Sequence, residues 1–572
     1  MAPCRFVGAG GLVLAALACG CAAREAFDVD VCNRAGVCFP ARAVPGPDAA
    51  RADAAAGDAP SGDDAARLPV RAARDGVAFE DVTYDAGDLE LVYSTRNNRW
   101  DSTDIFSGAV VMRDLDGDDY PDIVVGRTAE TDPTHQGIRF LVNQGDGTFR
   151  DRTREAGLEY GGPVTGLAAA DLDGDGRVDL YVGTDRAGDR LFRQVAPGRF
   201  EDVSERAGVR VEGRRTRSVG LLDYDLDGWL DVYVTAWDGA GPRGHYGGQD
   251  SWIAPNTLYR NRGDGTFEDV TARAGVDCFG RSTLGVATED LDGDADPDLY
   301  VVNDLFDDCL YENLGDGTFR EISRAASVGR HAINGMGIAT GDVDGDGDLD
   351  VLVTDDERAD ASTGNAFYFN LGALRFESAA HEVGVEGLWS VGLSSAIYWG
   401  AGFRDFDGDG VLDLHIAQHE TGPDLLFVWR GDRFERVAAD RFEVLSDARG
   451  SAYADFDRDG FVDILVATRG DAPRLLRNVG GGGARWVRVR LAGPRGNRDG
   501  VGAHLTVRAC GATMLRAVEG TTGYLSTSEP LVTVGLGACD GPVTVEVLFP
   551  GGAVASGSGR PGDDIVVAHP SR

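Results

Sequence analysis

The sequence predicts an all-β protein: a seven-bladed β-propeller built on acidic loops, followed by a small C-terminal β domain. Three observations carry this. A nine-residue acidic stretch recurs seven times at near-regular spacing. Strand and hairpin signals repeat with it. The two ends of the array complement each other.

The acidic stretch is typified by DLDGDGRVD at residues 171–179. The seven copies begin 57, 52, 67, 52, 63 and 50 residues apart, which marks a repeat architecture. Positions 1, 3, 5 and 9 are always aspartate: Asp114, Asp116, Asp118 and Asp122; Asp171, Asp173, Asp175 and Asp179; Asp223, Asp225, Asp227 and Asp231; Asp290, Asp292, Asp294 and Asp298; Asp342, Asp344, Asp346 and Asp350; Asp405, Asp407, Asp409 and Asp413; Asp455, Asp457, Asp459 and Asp463. Position 2 is apolar, as in Leu172 or Phe406, and positions 10 and 12 are β-branched or Leu. A carboxylate at every second residue between apolar anchors turns the acids toward one centre.

Converging carboxylates repel unless a cation joins them. Hard cations with oxygen ligands suit the pattern, and calcium takes six to eight such ligands. Position 6 is glycine in five copies, with Asp119 and Ala295 in the first and fourth. Position 7 varies freely: Tyr120, Arg177, Trp229, Asp296, Asp348, Val411 and Phe461. That freedom fits a backbone-carbonyl ligand. Position 12 is never Glu, so the loop departs from the EF-hand and aspartate at position 9 must close the site. Magnesium demands tighter octahedral geometry, so the expected cofactor is Ca²⁺, up to seven ions.

Around each loop the unit continues with short strands. GLAAAD or GVATED precedes it and an LYVG-like strand follows. A third strand then leads into a turn holding Asn, Gly and Asp, as in LYRNRGDGTF (258–267), and FEDVT (267–271) makes a fourth. Asn, Gly and Asp at such a turn are hairpin chemistry, and four short antiparallel strands per unit make a propeller blade. The combined loop, hairpin and F-x-D-V-T strand resembles the FG-GAP (VCBS-type) repeat over residues 76–483. The resemblance implies a seven-bladed propeller with Ca²⁺ at the Asp loops. FEDVT at residues 79–83 stands alone before the first loop, while the last repeat stops after its third strand at LLRN (475–478). The N-terminal strand is therefore expected to complete the seventh blade and close the ring.

Residues 484–572 lose the acidic loops and alternate polar with apolar residues in WVRVRL, HLTVRA, LVTVGL and VTVEVLF. GPRGNRDGVGAHLTV, GYLSTSEPLVTVGLG and FPGG resemble the ASPIC/UnbV domain of the cartilage acidic protein family, except that Phe549 stands where the family usually has Trp.

The first 21 residues read as a signal peptide with a short apolar run from Phe6 to Ala18. They resemble a bacterial lipoprotein signal, which implies lipidation at Cys19; Cys21 and ordinary cleavage near Ala22 or Ala23 remain alternatives. Residues 22–75 form an Ala, Asp and Pro-rich tether. Export permits disulfides. Cys32 and Cys38 are placed for a small loop. Cys278 and Cys309, in neighbouring loops on the face opposite the Asp loops, are expected to pair. Cys510 and Cys539 are the remaining pair. The chain is expected in the cell envelope, lipid-anchored to the outer membrane, or secreted.

The net charge of −39 argues against nucleic-acid binding. All 55 basic residues are Arg, which reads as coding bias. Among the eight histidines, His415 and His419 in HIAQHE invite a metal reading, but His415 falls at a packed strand position. No Ser-nucleophile elbow, Walker loop or zinc-spaced cysteine pair is present. Catalytic residues are therefore not assigned. The expected function is a monomeric, calcium-stabilised, non-enzymatic surface module for a protein or glycan partner; the alternative is an exported hydrolase or lyase acting on polysaccharide or phospholipid. The expected ligand face lies opposite the metal loops, on the insert 237–256 with Trp237, His245, Tyr246 and Trp252; the alternative is that Trp237 and Trp252 only pack the insert against the neighbouring blade.

Overall fold

In the computed structural model, the described residues are 77–571, apart from 93–107, 129–136, 238–254, 279, 330–333, 359–363, 387–394, 420–421, 439–440, 443–446, 481–482 and 522, with the backbone of 31–32 and 38–39. In the N-terminal unit, residues 1–64, Val31–Cys32 pairs antiparallel with Cys38–Phe39. The side chains of Cys32 and Cys38, and Cys19 with the signal segment, lie outside the described residues.

The second unit is all-β apart from single helical turns. Its propeller part holds seven antiparallel sheets of four repeat strands each, among the described residues. The third sheet is typical: Thr216–Leu222, Asp231–Ala236, Thr257–Asn261 and Phe267–Asp269, in that spatial order. The sixth carries Asp356–Arg358 as a fifth, edge strand. First strands of successive sheets contact one another, and that of the seventh, Ala448–Ala454, contacts that of the first, Val110–Arg113, so the ring is closed. First and second strands are buried along their length because neighbours pack on both faces.

Closure occurs as the end-to-end complementarity predicts. Phe79–Asp81 is the fourth strand of the seventh sheet, with Phe79 opposite Asn478 and Asp81 opposite Leu476. The F-x-D-V-T signature also has a role that the strand reading missed. In the third sheet Thr271 Oγ1 accepts the Leu258 N–H at 2.9 Å, while the Asp269 carboxylate accepts the Thr271 N–H and hydroxyl at 3.1 and 2.6 Å. The threonine thus ties the outer strand's end to the third strand and opens a one-turn helix, Thr271–Ala274, which stops at Gly275 with φ 79°. Thr83 and Asp81 make the same bonds at the ring closure, Thr83 Oγ1 taking the Leu475 N–H at 2.9 Å.

The C-terminal part is two sheets face to face. Arg485–Ala492 is central in one, antiparallel to Val532–Gly537 and parallel to Asp564–Ala568. The other runs Ala512–Ala517, His504–Ala509, Val543–Leu548, Val554–Gly559. Val487, Val489, Val507, Val534 and Val545 fill the space between them, as the alternating pattern requires. Phe549 is buried and meets the His569 ring edge-on.

Between two of these strands, residues 518–530 leave the domain and enter the centre of the ring. Gly520 O accepts from Leu221 N at 3.2 Å, Gly523 O from Ile338 N at 3.1 Å, Leu525 O from Leu167 N at 3.0 Å and Thr527 O from Met112 N at 3.2 Å. Ser528 Oγ accepts from Tyr453 N at 2.9 Å, and Glu519 holds Arg404 by two bonds of 2.8 and 2.7 Å. These partners belong to first strands of six sheets, and Gly520 adds the fourth by passing against Thr288. The segment is rich in Gly, Ser and Thr because the axis is narrow: a Cβ on Gly520 would lie 1.9 Å from Leu221 O, and one on Gly523 2.6 Å from Ala401 O.

Candidate metal centres and the face that carries them

All seven acidic loops sit at the turn from first to second strand, so they share one face of the ring. The carboxylates converge as the alternation predicts. Oxygens of Asp114, Asp116 and Asp122 lie within 4.8 Å of one another, as do those of Asp171, Asp173 and Asp179 and of Asp223, Asp225 and Asp231; Asp290, Asp292 and Asp294, and Asp342, Asp344 and Asp346, form further groups.

The nine positions divide the work. The position-9 aspartate is a staple. Asp179 Oδ2 accepts the Leu172 N–H at 3.1 Å and Oδ1 the Gln194 N–H at 2.8 Å. The same two bonds, from position 2 and from the third strand, recur at Asp122, Asp231, Asp298, Asp350, Asp413 and Asp463. Position 1 is bonded by the turn's own amides, as where Gly176 N meets Asp171 Oδ2 at 2.8 Å. In every loop the position-7 N–H bonds the position-5 carboxylate, as in Arg177 to Asp175 at 3.0 Å.

What the amides do not reach fits a cation. Asp116 Oδ1, Asp223 Oδ1, Asp225 Oδ1, Asp292 Oδ1, Asp342 Oδ1, Asp407 Oδ2 and Asp455 Oδ1 are buried oxygens with no hydrogen-bond donor. An ionised carboxylate oxygen can only accept, so leaving it buried and unmet is costly. Without a metal, burial pushes these groups up, Asp223, Asp342 and Asp455 to about 7 and Asp407 to about 8, and the amide-bonded Asp405 and Asp179 rise likewise to about 7 and about 8, with neighbouring aspartates adding to the rise. Oxygen-only donor sets of this kind match calcium chemistry. Arginines reinforce three loops from the third strand: Arg260 reaches Asp225 and Asp227 at 2.6 and 2.8 Å, Arg477 reaches Asp457 at 2.6 Å, and Arg193 meets Asp173 and Asp175.

Sequence reasoning assigned the hairpin Asn to its turn alone. Its Oδ1 does accept the Gly N–H two residues on, as at Asn261 and Gly263, 3.0 Å. Its Nδ2 also donates to position 8 of its own loop and position 2 of the preceding loop: Asn261 to Leu230 O and Leu172 O, at 3.0 and 2.8 Å. Asn143, Asn313, Asn370 and Asn478 repeat this sheet-to-sheet link. The signal was present in the recurrence of Asn, where a turn alone tolerates other residues.

The C-terminal domain rests on this acidic face. Arg498 Nε lies 2.9 Å from Asp171, Gly535 N donates to Asp405 Oδ2 at 2.8 Å, Arg488 stands 3.6 Å from Asp455 and Gly551 N reaches Ala295 O at 2.8 Å. Side chains and backbone of the domain thus reach the second, fourth, sixth and seventh loops.

The remaining expected sites divide. Cys278–Cys309 and Cys510–Cys539 are disulfides, with Cα separations of 6.4 and 5.9 Å, as expected of an extracellular or exported protein. Trp237 is not a ligand-face residue: it is fully buried, its Nε1 donates to Asp304 at 2.9 Å, and Arg215 and Arg217 lie over its ring. It directly follows the buried strand Asp231–Ala236. His245, Tyr246 and Trp252 lie outside the described residues. His415 is a packed histidine, as its repeat position predicts. Its Nδ1 lies 3.0 Å from Tyr453 Oη and its Nε2 3.8 Å from Asp424. Tyr181 and Tyr300 take its place beside Asp189 and Asp308 in other sheets. His419 is buried 3.7 Å from Asp447.

Comparison with known proteins agrees with this architecture. The FG-GAP-like repeat model matches residues 114–182, 171–234, 244–301, 290–353 and 405–466, and the ASPIC and UnbV model matches 493–571. Cartilage acidic protein 1 of Homo sapiens is 28% identical over 437 residues, covering 69% of this chain and 61% of that protein; its Mus musculus counterpart is 27% identical over 462 residues, covering 69% and 63%. The chain thus spans less than two thirds of either relative. Among solved structures, a lectin of Agrocybe aegerita described as recognising non-reducing terminal N-acetylglucosamine overlaps 64% of this chain and 87% of its own at 20% identity, TM-score 0.38. Rhamnogalacturonan lyase YesW overlaps 65% and 71% at 14% identity, TM-score 0.35. Such remote overlaps carry no argument about ligand or activity. The repeat model covers half of the chain, and the chain belongs to the FG-GAP-like repeat family, with an ASPIC and UnbV domain at its C-terminal end.

Proposed function

We propose that this protein is an exported, calcium-stabilised surface module that binds a protein or glycan partner and performs no catalysis. The observation that carries the metal reading is the set of buried, donor-less carboxylate oxygens repeated from loop to loop. Calcium supplies the missing positive charge when bound. The carboxylates at positions 1, 3 and 5 and the position-7 carbonyl would hold it, while position 9 fixes the loop. The partner face is the one opposite the metal loops, because the C-terminal domain already rests on the acidic face. The insert with His245, Tyr246 and Trp252 remains its proposed centre. Lipid anchoring at Cys19 would hold the chain at the cell envelope.

The test combines metal analysis of the purified chain with binding to a glycan array and to envelope proteins, with and without Ca²⁺. Bound calcium with saturable, turnover-free binding is expected. A chain without calcium, or one that cleaves its ligand, overturns the reading. Alanine at His245 and Tyr246 should weaken binding; an unchanged partner affinity removes the face assignment.

A further inference from the structure

One register position on the third strand differs in charge from blade to blade. It is the residue just before the one whose amide bonds the position-9 aspartate. In the second, third and seventh sheets it is Arg193, Arg260 and Arg477; in the others it is Val142, Glu312, Phe369 and Val428. The register is constant: Arg260 stands opposite Glu268, Glu312 opposite Arg320 and Arg477 opposite Glu80.

The three arginines reach into their loops at the same two positions, 3 and 5. Arg260 lies 2.6 Å from Asp225 and 2.8 Å from Asp227. Arg477 lies 2.6 Å from Asp457 and 3.9 Å from Asp459, and Arg193 meets Asp173 and Asp175. A guanidinium fork suits paired carboxylate oxygens. These are two of the three carboxylates that would hold the ion. The loops are not closed by this, because Asp223 Oδ1 and Asp455 Oδ1, at position 1, still lack a donor. They hold a competitor instead.

The other four loops hold none at that place. Glu312 adds a carboxylate and pairs across the hairpin with Arg320. The fourth and fifth loops carry a fifth aspartate at position 7, Asp296 and Asp348. Arg490 and Arg516 stand beside the first and sixth loops but bond position 6, at Asp119 and the Gly410 carbonyl, 3.0 and 2.9 Å away.

Resting on the calcium reading of the loops, we propose that this third-strand residue sets the calcium affinity of its loop. An ion entering the second, third or seventh loop must displace the arginine or share carboxylates with a like charge, and both cost affinity. The three arginine side chains are between 34 and 42% exposed, so they can turn to water and the cost stays moderate. These three loops form a weak class, and the first, fourth, fifth and sixth form a tight one. All seven fill at saturating calcium, in two steps. The tight ions are structural, while the weak class follows the surrounding calcium concentration.

The full chain, saturated with Ca²⁺, is dialysed against calcium buffers of falling free concentration, and the ion bound per chain is read by metal analysis. Two phases of release are expected, separated by about tenfold or more in dissociation constant. Arg260→Gln should move about one ion per chain from the weak phase to the tight one, and Glu312→Arg about one the other way. A misfolded chain does not gain affinity, so Arg260→Gln remains decisive even if Glu312→Arg fails to fold. Release in a single phase, an Arg260→Gln chain with wild-type phases, or a folded Glu312→Arg chain with wild-type phases each overturns the proposal. If the wild-type chain binds no calcium at all, the calcium reading falls and this proposal with it. If it binds calcium in one phase, the calcium reading stands and this proposal alone fails.

Discussion

At the scale of single residues, the loops separate chemistry that the sequence shows as one aspartate repeat. Asp173→Asn with Asp175→Asn should remove about one metal ion per chain, read by metal analysis, and leave the blade folded at saturating Ca²⁺. Asp179→Ala should act differently, because it orphans the buried Leu172 and Gln194 amides. A loss on the order of 2 to 4 kcal/mol follows from two unmet buried donors, persisting in saturating Ca²⁺ and read by chemical denaturation. Asn261→Ala likewise leaves the Leu172 and Leu230 carbonyls without their donor, at about 1 to 3 kcal/mol. Equal stability of Asn261→Ala and wild type would show the sheet-to-sheet link to be inert.

Asp308 gives a pH prediction away from the loops. Burial raises its carboxyl to about 7, against the relief given by Asn303 N and Tyr300 Oη. An unfolded aspartate titrates near 3.9. Above that value the unfolded chain releases this proton and the folded chain keeps it, so the contribution to stability is full below about 4 and lost as pH rises through about 7. Asn256 and Asn365 do the same bonding task in the third and fifth sheets. Asp308→Asn should therefore fold, and in Ca²⁺ its melting temperature should fall less between about pH 5 and pH 7.5 than that of wild type. An unchanged slope would mean that Asp308 is ionised throughout.

At the scale of elements, the sequence announces whatever repeats. The acidic loop, the Asn-Gly hairpin and the outer strand each recur, so their periodicity exposes them, and the unpaired Phe79–Asp81 strand reveals closure by simple accounting. Contacts made once are harder to read. Residues 518–530 look like any Gly, Ser and Thr-rich loop, and only the ring around them makes those small residues necessary. Trp237 is ambiguous for a related reason: it stands between a buried strand and a glycine-rich insert, and only the packed structure shows that it is buried with the former. The axial segment should be sensitive to bulk. Gly523 has φ +56° and a Cβ there meets Ala401 O at 2.6 Å, so Gly523→Val should expel or distort the segment. Increased protease cleavage within 518–530, with the disulfide Cys510–Cys539 intact, is the expected outcome; an unaltered digestion pattern would refute it.

At the scale of the whole molecule, ring, axial segment and C-terminal domain bear on the same face, and that face holds most of the charge that must be neutralised. Formal net charge is −39, and such an excess opposes the compact state by self-repulsion. Arginines from the domain and the third strands offset part of it. Metal would offset the rest where carboxylate oxygens lack donors. Binding to the folded chain alone stabilises by mass action, about 2.7 kcal/mol per independent site at a hundredfold excess over its dissociation constant. Several sites on one closed ring should then act together, because a loop that opens also releases its position-9 staple and the link to the next sheet. Thermal melting in EDTA and in Ca²⁺ tests this directly. A melting temperature raised by calcium in a concentration-dependent way is expected, with the domain's protection of the acidic face lost at the same transition. Equal melting temperatures after verified metal removal would mean that the amides and arginines alone hold the loops.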